Sequence, residues 1–168
     1  MSAPPAPPTS ALAGELSVDV VVIGAGYTGL SSALHLAQEG TRVAVLEAKE
    51  IGFGGAGRNV GLVNAGMWVM PDALGETLGQ DYGERLIDLL GNGPKVVFDL
   101  IEKHAIQCEA TRTGTLHCAV GDEGVRELEG RAEQWQRRGA AVELLDAKET
   151  TRLVGTTGYA ASLIDRRA

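Results

Sequence analysis

Cysteine, histidine and aromatic residues are scarce in this sequence, which removes several classes of functional site. Its 168 residues include three histidines and two cysteines, and aromatic side chains make up 4%. Cys108 and Cys118 do not form a C-x-x-C pair, and no histidine stands at a matching ligand spacing. We therefore expect no metal site. The adjacent His117 and Cys118 are interpreted as two half-buried strand residues rather than as ligands.

Excess positive charge and long apolar runs are also missing. Fifteen basic residues stand against 22 acidic ones, giving a net charge of −7. Such a chain has no general attraction for phosphate backbones, so nucleic acid is not expected as a partner. No run of about 18 apolar residues occurs, so we expect no membrane span. No secretory signal is recognisable, and both thiols are expected to be reduced in a cytoplasm.

The N-terminal segment, residues 1–17, is called the leader here. Four of the six prolines fall within its first eight positions, and it has neither a basic start nor a long apolar run. This composition predicts a disordered leader.

A βαβ unit is predicted directly after the leader. The β-branched run 18–23 is typical of a strand covered on both faces, as in a parallel sheet. Apolar residues then recur at helical spacing through Leu30, Ala33, Leu34 and Ala37, and Gly40 stands where a helix C-cap belongs. A second buried strand spans 41–47 and ends in an acid, Glu47.

The turn between the first strand and the helix reads Gly24-x-Gly26-x-x-Gly29, a dinucleotide-binding pattern in the required context. Gly24 permits the tight turn, Gly26 lets a pyrophosphate approach the backbone, and Gly29 lets helix and strand pack closely. The Glu47 carboxylate can accept hydrogen bonds from ribose hydroxyls and would repel a 2′-phosphate, which disfavours NADP. The pattern alone does not choose between NAD and FAD.

The remainder of the chain is predicted as mixed helix and strand. Residues 51–66 form a glycine-rich loop, and 82–90 with 94–104 form either two helices or one kinked helix. A hairpin is predicted from 107–112 and 115–120 around Thr113-Gly114. Further predictions are a helix at 123–138, a strand at 142–145, a helix capped by Asp146 with Glu149, and a strand at 159–164.

Three stretches resemble the FAD-dependent oxidoreductases of the D-amino-acid oxidase superfamily, in particular the branch of γ-glutamylputrescine oxidase-like amine oxidases. They are Asp19–Ala37, Val45–Ala48 and Gly54–Asn59. The first is shared by many flavoproteins, whereas the third, ending Gly-Arg-Asn, is much more specific. Many relatives continue with two glycines after Gly-Arg-Asn, but this chain has Val60 first. A β-branched residue disfavours positive φ, so the local backbone or the substrate pocket is expected to differ.

The resemblance implies a set of FAD-binding residues. Those expected at the pyrophosphate are Gly24, Gly26, Tyr27, Thr28 and Gly29. Glu47 would hold the adenosine ribose, with Ala48 and Lys49 beside the adenine. Those expected along the diphosphate, ribityl chain and flavin are Gly57, Arg58, Asn59 and the backbone of Val60, Gly61 and Leu62.

The predicted fold class is α/β, an FAD-binding Rossmann-like βαβ start leading into part of an α+β substrate domain. The predicted division is a leader at 1–17, the βαβ unit with its flavin loop at 18–80, and a helical segment with an incomplete substrate domain at 81–168. Relatives are more than twice as long, so we expect a piece of a longer protein.

The resemblance implies that the complete protein oxidises an amine or amino acid by hydride transfer to the flavin. The catalytic residues, the substrate, the electron acceptor and the oligomeric state are not indicated. His35, mid-helix, and His104, at a helix end, are poor candidates for a general base. Two alternatives stay open, an NAD-dependent dehydrogenase and a non-catalytic nucleotide-binding fragment. The loop after Glu47 counts against the first.

Overall fold

The computed structural model describes residues 5–168. The chain divides into two compact units, Met1–Gly61 and Leu62–Ala168. Residues 1–4 of the predicted disordered leader lie outside the described part, and residues 5–17 contain no helix or strand. The disorder of the leader and the functional boundary at 80/81 stay predictions.

The first unit is built on a βαβ motif. Strand β1 (Val20–Ile23), helix α1 (Tyr27–Gln38) and strand β2 (Val43–Leu46) follow one another, and a 3₁₀ turn comes later at Gly55–Gly57. The strands pair in parallel, from Val20 opposite Val43 to Ile23 opposite Leu46. Gly40 follows the end of α1 with φ +84. The predicted strand–helix–strand order is confirmed.

Coverage of β1 on both faces was predicted and is wrong in this structure. Val21 and Ile23 are 52% and 87% exposed, while Val20 and Val22 on the alternate face are partly buried. Successive strand side chains point to opposite faces, so one helix covers only one of them. Within the described part of this unit α1 is the one α-helix, and it contacts both strands.

The second unit combines helices with an antiparallel sheet. Its elements are α2 (Pro71–Leu78), α3 (Gln80–Gly91), α4 (Gly93–Lys103), β3 (Thr115–Ala119), α5 (Gly121–Arg137), β4 (Val142–Leu145), α6 (Ala147–Val154) and β5 (Ala161–Asp165). The strand order is β3-β5-β4, with both pairings antiparallel. The core gathers side chains from α2, α3, α5 and the three strands, including Leu128, Trp135 and Leu163. In residues 5–168, no helix is both long enough and apolar enough to cross a bilayer.

Helix α2 was not predicted from the sequence, and glycines shape its junction with α3. Gly79 has φ +79 and allows the chain to turn between the two helices. A Cβ on Gly83 would lie 2.7 Å from the Gly75 backbone, so these helices meet at close range. Helices α3 and α4 are separated by Asn92 alone, whose backbone stays helical at φ −90 and ψ −4. Pro94 has no N–H to continue the hydrogen-bond pattern, which explains the break.

The predicted hairpin of 107–112 with 115–120 is wrong. Residues 107–112 form no strand, and β3 pairs instead with β5, Thr115 opposite Asp165. Glu109, inside the predicted strand, adopts φ 52, and Ala105, two residues before that strand, adopts φ 48, so the chain bends where an extended strand was expected. The predicted cap of the sixth helix is confirmed, because Asp146 accepts a 2.8 Å bond from the Glu149 N–H.

Candidate nucleotide-binding site

The glycine turn joins the end of β1 to the first turn of α1. Gly24 has φ +99, and its N–H donates to the Leu46 carbonyl at 2.7 Å, extending the pairing of the two strands. Gly26 is the N-cap of α1, no side chain caps it, and no acidic residue lies in the first turn. The Leu30 N–H donates to the Gly26 carbonyl at 2.9 Å. The preceding N–H groups have no carbonyl within the helix, so this end can accept an anion.

Two of the motif glycines serve different steric purposes. A Cβ on Gly29 would lie 2.0 Å from the Gly24 carbonyl oxygen, so glycine at this position lets the helix lie close to the strand. A Cβ on Gly26 would meet nothing within 4 Å. Space is therefore open beside Gly26, where a phosphate group would have to approach the backbone.

Glu47 is fixed on the glycine turn by two backbone donors. Its Oε2 accepts from the Ala25 N–H at 2.8 Å, and its Oε1 accepts from the Lys49 N–H at 3.0 Å. These bonds, that of Ala25 first, hold the pKa of Glu47 below its usual value, so the side chain is a carboxylate at neutral pH. A carboxylate has about four lone-pair directions, more than these backbone donors occupy, so the group can still accept from a ribose hydroxyl.

The glycine-rich loop returns to the same turn. The Gly52 N–H donates to the Ala25 carbonyl at 3.0 Å. A Cβ on Gly57 would lie 2.4 Å from the Gly52 carbonyl oxygen, so the loop closes tightly on itself. The Arg58 guanidinium lies 4.9 Å from the centre of the Phe53 ring, an orienting cation–π contact.

Asn59 connects this loop to α1. Its Nδ2 donates to the Tyr27 hydroxyl and to the Ala56 carbonyl, each at 2.7 Å. Its Oδ1 accepts from the Gly61 N–H, also at 2.7 Å. Both ends of the amide are engaged within the protein, so Asn59 shapes the loop.

The structure brings most of the predicted site residues together and shows how Val60 is accommodated. Among described non-glycine residues, positive φ occurs at Ala105 and Glu109, so Val60 does not adopt it, and Gly61 takes φ +72 instead. Ala48 and Lys49 follow Glu47 on the exposed side of the turn. Leu62 begins the second unit.

Two parts of the structure beside the predicted site residues were not predicted from the sequence. Ala25 is 1% exposed and bonds through both its N–H and its carbonyl to the segment after β2. Its small size between two motif glycines was the available signal. The other part is the leader, which lines a cavity of about 940 Å³ together with β2 and Glu47. No pattern in the leader pointed to that contact.

The three histidines stand in different surroundings. His35 is exposed on α1, with Nδ1 2.7 Å from the Ser31 carbonyl oxygen. His104 is the C-cap of α4. His117 is half-buried on β3, where burial first and the Arg131 charge second lower its pKa. Its neighbour Cys118 points to the opposite face of the strand. No cluster of potential metal ligands occurs among residues 5–168.

Comparison with known proteins gives a consistent family assignment. The profile of the DAO family, FAD dependent oxidoreductase, matches residues 19–168. The gamma-glutamylputrescine oxidoreductase of Escherichia coli (strain K12) is 40% identical over 160 residues, covering 94% of this chain and 37% of the relative. A probable oxidoreductase of Rhizobium meliloti is 41% identical over 96 residues, 57% of this chain and 22% of its own length.

Two solved structures share the fold. L-amino acid deaminase from Proteus vulgaris aligns with a TM-score of 0.69 at 19% identity, covering 95% of this chain and 36% of that one. Glycine oxidase from Geobacillus kaustophilus aligns with a TM-score of 0.67 at 20% identity, covering 89% and 39%. The chain thus spans less than two fifths of these proteins. The predicted fold class is confirmed, and the chain belongs to the DAO family of FAD-dependent oxidoreductases.

Proposed function

We propose that this chain provides the ADP-binding part of a flavoenzyme that oxidises an amine or amino acid. The observation that carries the proposal is the Glu47 carboxylate, held 2.8 Å from the Ala25 N–H beside the open backbone of Gly26. A ribose-accepting carboxylate and an unobstructed helix N-terminus are the two groups that the adenosine diphosphate end of FAD requires. The residues present therefore fit the family's cofactor.

The proposed roles follow the geometry of the first unit. The backbone of Gly24, Gly26, Tyr27, Thr28 and Gly29 would bind the pyrophosphate, and Glu47 would bind the ribose. Ala48 and Lys49 would flank the adenine. Arg58, beside Gly57 and ahead of Gly61, would place a fixed cation near phosphate or an anionic flavin. The backbone of Val60 would continue toward the flavin, and Asn59 would hold that loop on α1. The role of Leu62, the first residue of the second unit, rests on the family resemblance alone.

The chemistry proposed for the complete protein is that of its family. Bound FAD supplies the acceptor for a hydride from the carbon next to nitrogen, leaving an imine that hydrolyses. Support for an amine substrate comes from the name of the Escherichia coli relative, a gamma-glutamylputrescine oxidoreductase. We also propose a reducing compartment such as the cytoplasm, because the sequence has two cysteines alone, Cys108 and Cys118, and no disulfide framework.

Cofactor analysis and turnover of the complete protein containing this chain test the proposal. We expect a yellow preparation that releases FAD on denaturation and that forms peroxide, or reduces a dye, with members of an amine and amino-acid panel. A colourless protein that takes up NAD instead would contradict the proposal and favour a dehydrogenase. Bound FAD without turnover of any panel member would favour a non-catalytic nucleotide-binding protein.

A further inference from the structure

The leader forms one side of the cavity in the first unit. The cavity measures about 940 Å³, and its leader residues are Thr9, Ser10, Ala11, Leu12, Ala13 and Leu16. The four residues of β2 line it as well, together with Ala25, Leu30 and Ile51. The leader therefore lies beside β2, the strand that Glu47 follows.

The walls of this cavity are largely apolar. Leu12 and Leu16 line the cavity beside β2 and remain 58% and 60% exposed. Val43 and Val45 face the same space from the strand. An exposed pair of leucines opposite a valine-lined strand leaves apolar surface that a flat, weakly polar ring would cover.

The cavity lining includes the group that would recognise a ribose. Glu47 lines it, and its carboxylate is already oriented by the Ala25 and Lys49 N–H groups. Ligand pockets measure about 300–1,000 Å³, so the space suits a nucleoside with room for its phosphates. Apolar walls for a base beside an acceptor for hydroxyls are the chemistry of adenosine.

We propose that the leader residues 9–13 and 16 form a wall of the adenosine pocket, with Leu12 and Leu16 covering the adenine opposite β2. This inference rests on the proposed function, since it refines the same cofactor site. The leader precedes residue 19, where the match to the family profile begins, so the wall is a feature that the profile does not describe. The match to the Escherichia coli relative covers 94% of the chain and so extends into the leader.

Titration of the full chain with two half-cofactors tests the inference. ADP reports on the adenosine half and FMN on the flavin half. In a Leu12→Ser, Leu16→Ser double variant we expect the Kd for ADP to rise about tenfold, since loss of apolar contacts from a pocket has effects of this order. Binding of FMN should match that of the unaltered chain. Glu15→Ser is the matched control, because Glu15 belongs to the leader but does not line the cavity.

A second measurement does not depend on substitutions. Hydrogen exchange of the unaltered chain should slow at residues 9–16 when ADP is added and should not slow there with FMN. Unchanged ADP affinity in a folded double variant, an equal loss in Glu15→Ser, absence of slowing, or failure of the unaltered chain to bind ADP would each overturn the inference. A different outcome is that ADP binding depends on the leader but FAD binds no more tightly than ADP. That outcome would contradict the proposed function and would still support the role of the leader.

Discussion

The side-chain amide of Asn59 donates a 2.7 Å hydrogen bond to the hydroxyl of Tyr27, which lies 32 residues earlier in the chain. Tyr27 is the first residue of α1, and Asn59 follows the 3₁₀ turn of the glycine-rich loop. The bond ties the two segments that are proposed to lie along the diphosphate and the flavin. It holds the glycine-rich loop against the N-terminus of α1, where the phosphates would bind.

Removing the hydroxyl should therefore loosen the loop without unfolding the unit. In Tyr27→Phe we expect the Kd for FAD to rise about threefold to tenfold, because one hydrogen bond of a preorganised loop is lost. Fluorescence titration with FAD gives the Kd. Tyr82→Phe is the matched control, since Tyr82 is equally exposed at 67%. Equal affinities in the two variants would show that the loop holds its position without the bond.

The Glu47 carboxylate gives the second prediction. Glu47→Gln keeps the shape of the side chain but replaces one acceptor oxygen by an NH₂ group. That group would face either a backbone N–H or a ribose hydroxyl. Because charge-assisted bonds are the stronger ones, we expect FAD affinity to fall about tenfold to a hundredfold. Glu50→Gln makes the same change in charge three residues later and should leave the affinity unaltered. An unaffected Glu47→Gln variant would mean that this carboxylate does not contact the cofactor.

The pH dependence of the same carboxylate is the third prediction. Its pKa is lowered in the folded chain from an ordinary value of 4.5, chiefly by the Ala25 N–H. The folded state then binds fewer protons than the unfolded state between these two values. The stability contributed by Glu47 is complete above about pH 4.5 and is lost as the pH falls through the lower, folded pKa. Melting temperatures of the unaltered chain and of Glu47→Gln, measured from pH 7 to pH 3, should converge as the solution becomes acidic.

The local features of the first unit could be predicted from sequence because they depend on neighbours along the chain. The valine run, the glycine spacing and the terminal Glu47 each fix a local conformation, and together they predict βαβ. The exposed face of β1 could not be predicted in this way. An apolar run shows that a strand is suited to burial, whereas the elements present decide whether both faces are covered.

The errors in the second unit have a common physical origin in contacts between distant residues. The β3 strand pairs with β5, almost fifty positions later, so the turn at Gly114 was mistaken for a hairpin. Helix α2 is eight residues long and contains Gly75, which conceals its helical pattern. The leader wall likewise depends on a contact with β2 that carries no local signal.

The close approach of α2 and α3 gives the fourth prediction. Gly83→Ala would place a Cβ 2.7 Å from backbone atoms of Gly75, and backbone cannot move aside as a flexible side chain can. We expect a loss of about 1–3 kcal/mol in the free energy of unfolding, measured in urea. Gly91→Ala, in the same helix, meets the Arg167 guanidinium at 3.3 Å, which can shift, and should be neutral or stabilising. A neutral Gly83→Ala would show that the two helices are farther apart in solution.

The fifth prediction concerns Gly29 and Gly26. Substitutions at these two positions should distinguish effects on folding from effects on cofactor binding. In Gly29→Ala the new Cβ would lie 2.0 Å from the Gly24 carbonyl oxygen, so helix and strand must part and the melting temperature should fall steeply. Gly26 has φ −89 and ψ −171, which alanine adopts readily, and open space surrounds its Cβ position. Gly26→Ala should therefore fold with a loss of no more than about 1 kcal/mol, from its weaker N-cap.

The FAD affinities of the same variants complete the test. The methyl group of Gly26→Ala would stand where a phosphate must approach, so FAD binding should weaken at least about tenfold in a chain that still melts cooperatively. Gly93→Ala also has open space at its Cβ position, but it lies in the second unit and should bind FAD as the unaltered chain does. Full FAD affinity in a folded Gly26→Ala variant would place the pyrophosphate elsewhere. That result would rule out the N-terminus of α1 as the phosphate site. It would leave the proposed role of Glu47 unaffected.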